Sequence, residues 1–365
     1  MELTFAKREM LSALSLLVRV ADAKSAMPML SNILLKSDGG DKVHMFATDL
    51  YLSLAGSVTT TKAKAGSCAL PAKDFLERVK NMPDGPLTLV VDGVKATLKG
   101  EGKARKFTLH ALPGTDYPPI PEAGDAASVK LPTKVLASLI DQTHGAISTD
   151  DTRQHIASLL VEWDGTTIRA VGTDGHRLHL AEASTGENVG NQTMLIPRKG
   201  VGELRRLCDS ADEVTLTRNG STAFFATDMI LGVKLVDANF PPYAQVIPKT
   251  WANEIKVNAS QLKEVLRAVA VSANERTGGV ELSFAPGSTI TIKATDPMRG
   301  TSEDTLESET EWTGKPLRVG VSAVYLMAAC DAIGDRVATF GAGGDLDPMI
   351  LVNESGKFVV MPMRI

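Results

Sequence analysis

The chain has 365 residues, of which 43% are hydrophobic and 22% charged, and its formal net charge is −4. This length supports more than one hydrophobic core and predicts two or three domains. No apolar run approaches the roughly 18–20 residues of a membrane span, and the N-terminus has no charged leader followed by an apolar block. Three widely separated cysteines argue against a disulfide framework or a cysteine-based metal site, so we expect a reduced, cytoplasmic protein without membrane contact.

Three similar segments follow one another along the chain. A short mark recurs at spacings of 125 and 122 residues, in the form of Ala47-Thr48-Asp49, Gly172-Thr173-Asp174 and Ala294-Thr295-Asp296. An amphipathic helix is predicted upstream of each mark, because apolar residues recur there at offsets of three, four and seven. The apolar stripes comprise Met10, Leu11, Leu14, Leu17 and Val18, then Val135, Leu136, Leu139 and Ile140, then Leu262, Val265, Leu266 and Val269.

A second helix is predicted downstream of each mark. Pro71 and Pro197 are placed in a first helical turn, where the missing N–H is tolerated, and Ser322 offers an N-cap. The remaining residues form short, partly alternating runs between Gly and Asp turns, which indicate antiparallel strands. Each copy is therefore an α+β unit of two similar halves, each a helix with antiparallel strands. We predict three tandem domains, at residues 1–124, 129–249 and 252–365.

The six predicted helices are basic within an acidic protein. Their windows, at residues 7–21, 71–81, 132–144, 197–208, 259–271 and 321–334, hold thirteen Lys or Arg against seven Asp or Glu, a net charge of +6. The rest of the chain therefore carries −10. This division favours helices that face a polyanion while strands and loops face solvent. Basic residues that merely decorate solvated helix faces are the alternative.

Helix geometry limits what such a chain can enclose. Six helices side by side at about 10 Å spacing would surround a hole of about 9 Å, whereas twelve would surround about 28 Å. A DNA duplex, whose major groove alone is about 12 Å wide, cannot pass the smaller hole but can pass the larger one. One chain is too small to encircle duplex DNA, and a closed two-fold dimer is large enough.

Four segments of the chain resemble a known family. They are Thr173-Asp174-Gly175-His176-Arg177-Leu178, Pro197-Arg198-Lys199-Gly200, Lys234-Leu235-Val236-Asp237 with Phe240-Pro241, and the terminal Val359-Val360-Met361-Pro362-Met363-Arg364-Ile365. On these segments the whole chain, in three domains, resembles the bacterial replicative sliding clamp, the beta subunit of the chromosomal DNA polymerase. The resemblance implies the DNA clamp fold, assembled as a head-to-tail homodimeric ring around duplex DNA.

The family resemblance also implies a function and its partners. The ring would act as a processivity factor that slides on duplex DNA without sequence specificity and tethers the replicative polymerase. Further partners would be the clamp loader and other replication and repair proteins that carry a clamp-binding peptide. We expect no catalysis, no cofactor and no metal. Weak contacts to phosphates permit sliding, because such contacts carry no sequence information.

The resemblance places two kinds of binding residue on this chain. A partner peptide would dock in an apolar pocket between the second and third domains, at Ile156, Thr173, Gly175, His176, Arg177, Leu178, Pro241, Val246, Val359, Val360, Met361, Pro362, Met363 and Arg364. Branched apolar residues and Met suit an adaptable groove, while Arg and His supply hydrogen bonds at its rim. The DNA backbone would be contacted by Arg153, Gln154, His155, Arg198 and Lys199.

The homodimer is expected to form between the first domain of one chain and the third domain of the other. Edge strand would meet edge strand there, which also covers two exposed sheet edges per chain. Phe107 and Val271 are the candidate apolar contacts of this dimer interface.

Two other classes of function, an enzyme and a protein-binding adaptor, are alternatives for this sequence. In an enzyme, His176 beside Asp174 could perform acid–base chemistry, but Thr-Asp recurs at 48–49 and 295–296 without the His, so the repeated pair is scaffold and Asp174-Gly175 predicts a hairpin turn. The glycine-rich segments do not match the phosphate-binding loop G-x-x-x-x-G-K-[ST]. A repeat-built adaptor that binds proteins but never encircles DNA would keep the pocket and need neither basic helices nor dimerisation.

Overall fold

The structure is a computed structural model, and it describes residues 1–100, 102, 104–124, 126, 128–186, 190–251 and 253–365. Residue 252, where the predicted third domain begins, lies outside the described residues. Across the described residues the chain forms six α-helices and twenty-five β-strands. Each helix lies inside one of the six windows predicted from the sequence. The strand pairings between described residues are antiparallel. The predicted α+β class is confirmed.

The elements alternate in the predicted order of helix and strands. Over residues 1–132 they are β1 (Glu2–Ala6), α1 (Lys7–Val20), β2 (Asn32–Ser37), β3 (Lys42–Thr48), β4 (Leu52–Lys64), β5 (Gly66–Pro71), α2 (Ala72–Lys80), β6 (Pro86–Asp92), β7 (Lys95–Gly100), β8 (Lys106–His110), β9 (Leu112–Pro113) and β10 (Ser128–Pro132). Over residues 133–234 they are α3 (Thr133–Thr143), β11 (Ser158–Asp164), β12 (Thr167–Thr173), β13 (Arg177–Ser184), β14 (Asn191–Pro197), α4 (Arg198–Leu207), β15 (Glu213–Asn219), β16 (Thr222–Ala226) and β17 (Ile230–Lys234).

The last third of the chain repeats this order. Its elements are β18 (Asn253–Asn258), α5 (Ala259–Val269), β19 (Gly279–Phe284), β20 (Gly287–Asp296), β21 (Gly300–Trp312), β22 (Leu317–Ser322), α6 (Ala323–Ile333), β23 (Val337–Ala342), β24 (Met349–Val352) and β25 (Gly356–Val360). Short 3-10 turns lie at residues 28–31, 114–116, 144–146, 208–210, 243–245 and 270–272.

The chain divides into two compact units. The first comprises residues 1–131 and 206–234, and the second comprises residues 132–205 and 235–365. The first unit contains a thirteen-stranded sheet in which β17 pairs with β4. The second contains an eight-stranded sheet in which β25 pairs with β13, and a four-stranded sheet ordered β21-β20-β19-β22. Backbone pairing therefore crosses the boundaries predicted from the repeat, and those boundaries stay predictions.

The helices bury the apolar stripes that the sequence predicts. In α1 the side chains of Met10, Leu14 and Leu17 are fully buried, at offsets of four and seven that place them on one face. Helices α3 and α5 bury most of the equivalent residues. The other members of the predicted stripes are half-buried, namely Leu11, Val18, Val135 and Val265. Burying one such side chain contributes about 1.5–3 kcal/mol, so the stripe holds each helix to the sheet beneath it.

Helix starts differ slightly from the prediction. Pro71 is the N-cap of α2 and Pro197 is the last residue of β14, so α2 and α4 begin one residue after the proline rather than at it. Ser322 occupies the N-cap of α6, but its side chain makes no capping hydrogen bond in the described part of the chain. The side chain of Asn258 does cap a helix, because it accepts a hydrogen bond from the N–H of Gln261 in α5 at 3.1 Å.

The recurring Thr-Asp pair forms the same turn in the first two copies. Oδ1 of Asp49 accepts hydrogen bonds from the N–H of Tyr51 and of Leu52, and the hydroxyl of Thr48 donates to the Leu52 carbonyl. Asp296 likewise accepts from two backbone N–H groups in the third copy. Leu50 has a φ of +75°, a left-handed conformation that is uncommon for a leucine. The repeated pair is therefore a turn scaffold.

Candidate functional site

The turn between β12 and β13 forms one wall of an apolar pocket. Oδ1 of Asp174 accepts from the N–H of His176 at 2.9 Å and of Arg177 at 3.1 Å, and the Thr173 hydroxyl donates to the Arg177 carbonyl at 2.7 Å. Gly175 has a φ of +93°, which glycine adopts without a steric penalty. The turn predicted at Asp174-Gly175 is thus present, and its hydrogen bonds fix the direction in which Arg177 leaves the sheet.

Arg177 is held by a carboxylate on one side and a ring on the other. Its Nε lies 3.0 Å from Oδ2 of Asp174, and both side chains are largely buried, with 13% and 15% exposed. Its guanidinium lies 4.8 Å from the centroid of the Tyr325 ring, within the range of a cation–π contact. The His176 ring stacks on the same tyrosine, with centroids 5.9 Å apart.

A second wall comes from the segment that follows β17. Phe240, Tyr243, Ile247 and Trp251 pack on a small core formed by the eight-stranded sheet. The Tyr243 hydroxyl donates to Oε2 of Glu162 at 2.6 Å, and burial together with this carboxylate raises the pKa of Tyr243 to about 12. The tyrosine therefore stays a neutral donor that ties the segment, which we call the connector (residues 240–251), to the sheet.

The C-terminal residues form the third wall. Strand β25 pairs with β13, with Val359 opposite Leu178, and beyond the strand the N–H of Met361 donates to the His176 carbonyl at 2.9 Å. The N–H of Met363 donates to the Gly320 carbonyl at 2.8 Å. Chain ends fray unless they are tied down, and these two bonds tie this one.

Together these walls enclose a cavity of about 130 Å³. The residues around it are mostly apolar or aromatic, with two arginines at the rim, namely Arg153, Ile156, Thr173, Gly175, Arg177, Leu178, Pro241, Tyr243, Val246, Val359 and Met361. Val246 is 42% exposed at the edge of this cavity. An apolar hollow with a few polar groups is the usual form of a binding site for a small ligand or a short peptide side chain.

The structure brings nine of the fourteen predicted pocket residues to this cavity. Val360 does not line it, because successive strand residues point to opposite faces and Val360 is buried in the core of the last third of the chain. Met363 lies against Gly279 instead. The remaining predicted residues, His176, Pro362 and Arg364, do not line the cavity either.

Two residues that line the cavity, Tyr243 and Arg153, are absent from the pocket residues predicted from the sequence. Tyr243 follows the Phe240-Pro241 motif, and an aromatic residue so close to that motif is the signal that could have identified it. Arg153 was predicted to contact DNA, whereas the structure places its guanidinium at the pocket, with Nη1 3.5 Å from the Asp174 carbonyl oxygen. Its neighbour Gln154 is exposed and His155 is half-buried. The DNA contact of these three residues stays a prediction.

A separate set of positive charges lies at the helix N-termini. The second residue of α1, α2, α3 and α4 is Arg8, Lys73, Lys134 and Lys199 respectively, and all four side chains are exposed, as is Arg198 beside them. A helix dipole disfavours cations at its N-terminus by about 0.3–1 kcal/mol. Helix stability therefore does not explain their positions.

Two edge strands carry side chains of opposite charge. Strand β8 ends the thirteen-stranded sheet and carries Lys106 and the half-buried Phe107. Strand β21 ends the four-stranded sheet and exposes five carboxylates, Glu303, Asp304, Glu307, Glu309 and Glu311. The Val271 side chain is 71% exposed. Unpaired edges of this kind are templates for pairing with another chain.

Metal and thiol chemistry find no site among the described residues. There, no group of three or more His, Cys, Asp or Glu is arranged to hold a metal ion. The three cysteines are buried and unpaired, and burial raises the pKa of Cys68 and of Cys330 to about 12. Every helix in the described part of the chain is too short or too polar to span a bilayer.

Comparisons with known proteins identify the fold and the family. Family models of the DNA polymerase III beta subunit match residues 1–121 with the N-terminal domain, 130–242 with the central domain and 244–364 with the C-terminal domain. The beta sliding clamp of Caulobacter vibrioides is 32% identical over 376 residues and covers the whole of both chains.

Solved structures agree with this assignment. The DNA polymerase III subunit beta of Pseudomonas aeruginosa has a TM-score of 0.94 and 28% identity, with 100% of both chains covered. A sliding clamp of the same organism bound to griselimycin has a TM-score of 0.94 and 29% identity, again over the whole of both chains. Three tandem α+β domains of this kind define a DNA clamp. The chain belongs to the DNA polymerase III beta subunit family, the beta sliding clamps.

Proposed function

We propose that this protein is a processivity factor that encircles duplex DNA as a homodimeric ring and tethers the replicative polymerase. Membership of the beta sliding clamp family over the whole chain carries this proposal. A closed ring is topologically linked to the DNA that it surrounds, so it needs no tight affinity for DNA to stay on it. The tethering function requires no catalysis by the ring. Because chromosome replication takes place in the bacterial cytoplasm, that is where we infer that it acts.

The exposed cations at the helix N-termini support duplex DNA as the encircled polymer. The described helices keep the net charge of +6 within a chain of −4. Exposed Lys and Arg would make screened, sequence-independent contacts with phosphates, and such weak contacts still permit sliding. Arg198, Lys199, Gln154, His155 and Arg153 remain our candidates for backbone contact.

The two open sheet edges support the dimer. Strand β8 of one protomer and β21 of its partner would add to one continuous sheet, with Lys106 facing a row of carboxylates. Complementary charge favours this pairing over β8 with β8 or β21 with β21. Phe107 and Val271 would supply the apolar part, and each ring would contain two such contacts.

The apolar pocket supports peptide-mediated recruitment of partners. We infer that the replicative polymerase, the clamp loader and other replication and repair proteins each insert a short segment into it. Griselimycin is the ligand of a related clamp structure, and we propose that it binds here too. A griselimycin titration followed by calorimetry, with and without Met361→Ala, tests the position of the site.

The decisive experiment separates a ring from an adaptor that only binds proteins. The protein, loaded by the clamp loader of the same organism, is placed on nicked circular DNA and on the same DNA after linearisation. A ring stays on the circle and slides off the free ends, so retention should fall sharply after cutting. Equal retention on both forms, or a monomer in sedimentation at micromolar concentration, would overturn the proposal.

A further inference from the structure

A second, larger trough lies beside the partner pocket. It has a volume of about 500 Å³ and runs between the connector and the outer face of the eight-stranded sheet. Its floor is formed by Leu180 of β13 with Ile350 and Val352 of β24, and Ile247 and Trp251 of the connector form its wall. A volume of this size accommodates a few peptide side chains.

The trough continues the partner pocket along one strand. Leu178 lines the pocket and Leu180 lines the trough. Residues i and i+2 of a strand share a face and lie roughly 7 Å apart. Tyr243 lines both hollows and is the partition between them. An extended peptide seated in the pocket therefore reaches the trough within two or three residues.

Polar contacts hold the trough in shape. Arg169 pairs with Glu182 and lies 3.7 Å from Glu162, which in turn accepts from the Tyr243 hydroxyl. The indole N–H of Trp251 donates to Glu254 at 3.0 Å. The Trp251 ring lies on the bare backbone of Gly341, where a Cβ would approach it to 2.7 Å. The walls are thus built before any ligand arrives, which lowers the entropic cost of binding.

The charge of the trough is positive at its mouth. Arg169 and its two glutamates together carry one net negative charge, and the exposed Lys249 and Lys357, which also line the trough, bring the sum for these five groups to +1. Neither lysine has an ion-pair partner within the part of the chain that the structure describes. An apolar floor between two unpaired ammonium groups is complementary to a ligand with an apolar body and a carboxylate.

We propose that this trough binds the residues flanking the partner's clamp-binding segment, and that it selects flanks combining an aromatic or aliphatic side chain with Asp or Glu. The inference rests on the proposed function of the pocket, because the same peptide occupies both hollows. The trough then acts as a specificity site that ranks partners sharing a similar core segment.

Four fluorescein-labelled peptides test this site by fluorescence anisotropy. The first is the clamp-binding segment of the polymerase from the same organism. The second and third are this segment extended by Trp-Glu-Glu at its N-terminal or its C-terminal end. The fourth is the segment extended by Gly-Ser-Ser at whichever end gives the tighter binding with Trp-Glu-Glu. The titrated proteins are the native chain, the double variant Lys249→Glu/Lys357→Glu, and the charge-matched control Lys36→Glu/Lys42→Glu, whose lysines are exposed on β2 and β3.

The expected result is that one Trp-Glu-Glu extension tightens binding about threefold to tenfold on the native and control proteins. The double variant should lose this gain and bind the core segment unchanged. An extension that adds nothing beyond Gly-Ser-Ser, or a gain that survives the double variant, overturns the inference while leaving the pocket intact. A core segment that fails to bind the native protein refutes the proposed pocket itself, and the trough with it.

Discussion

Met361 and His176 are joined by a backbone hydrogen bond of 2.9 Å, from the N–H of the methionine to the carbonyl of the histidine. The bond fixes the C-terminal segment to the turn that carries Arg177. The equivalent bond exists in the first unit, where the N–H of Lys234 donates to the Tyr51 carbonyl at 2.8 Å. One junction geometry thus recurs, and at the C-terminus it closes an apolar pocket.

Deleting Met361–Ile365 removes one wall of that pocket. We expect partner-peptide affinity to fall at least a hundredfold, while the dimer persists because neither β8 nor β21 is altered. Anisotropy titration and sedimentation velocity measure the two properties. Met361→Ala, which keeps the backbone bond and removes only the side chain, should have a smaller effect. Unchanged peptide affinity in the truncated chain would show that the site lies elsewhere.

Gly175→Ala should reduce both stability and peptide binding. A Cβ at a φ of +93° is strained, at a cost of about 1–2 kcal/mol, and it would also lie 3.4 Å from Nη2 of Arg153. Gly165→Ala is the matched control, because its φ is +61° and nothing lies within 4 Å of the added atom. Urea unfolding should show a loss in both variants, whereas only Gly175→Ala should weaken the peptide. Equal peptide affinity in both would contradict the proposed role of the turn.

Val271→Ala should weaken the dimer. Each buried methylene-sized group contributes about 0.8 kcal/mol, and the loss counts twice because a closed ring contains two copies of the contact. The dimer Kd in sedimentation equilibrium is expected to rise at least tenfold. Leu346→Ala, which also truncates an exposed apolar side chain, serves as the control. If both variants dimerise like the native chain, Val271 is not at the interface.

Acidification below about pH 6.5 should destabilise the second unit through His179. Its side chain is fully buried, Nδ1 donates to the Gln142 carbonyl at 3.0 Å, and burial lowers its pKa to about 3. The unfolded imidazole takes up a proton near pH 6.5 while the folded one stays neutral, so this contribution to stability is full above pH 6.5 and decreases by about 1.4 kcal/mol per pH unit below it.

His179→Asn tests this assignment, because its amide can donate to the same carbonyl but does not titrate. The variant should be less stable at pH 7.5, owing to the lost volume, yet show a shallower decrease in the free energy of unfolding between pH 6.5 and 5. Parallel pH profiles for the variant and the native chain would exclude His179 as the cause.

The thiols should be inert in the folded protein. Cys68, Cys208 and Cys330 are buried, and reaction requires a thiolate in contact with the reagent. Ellman's reagent at pH 8 is expected to titrate none of them within minutes and all three in 6 M guanidinium chloride. Rapid native reaction of one thiol would show that its segment opens readily.

The periodic features of the fold could be predicted from the sequence alone. Helix α1 is an example, since Met10, Leu14 and Leu17 share a face by their spacing, whatever they pack against. The Thr-Asp turn is another, because an aspartate that accepts from the N–H groups two and three residues further along the chain is a local structure. The resemblance carried by Thr173–Leu178 and by the terminal residues also pointed to the pocket.

Contacts between residues distant in the chain were decided only by tertiary structure. Arg153 illustrates this, because no local pattern indicates that folding sets its guanidinium beside the Asp174 carbonyl, 21 residues further along the chain. Tyr243 reaches Glu162 across 81 residues, and no local pattern encodes that distance. Short-range periodicity follows from the geometry of one helix or strand, whereas a cavity exists only where several elements meet, so its lining depends on how all of them pack.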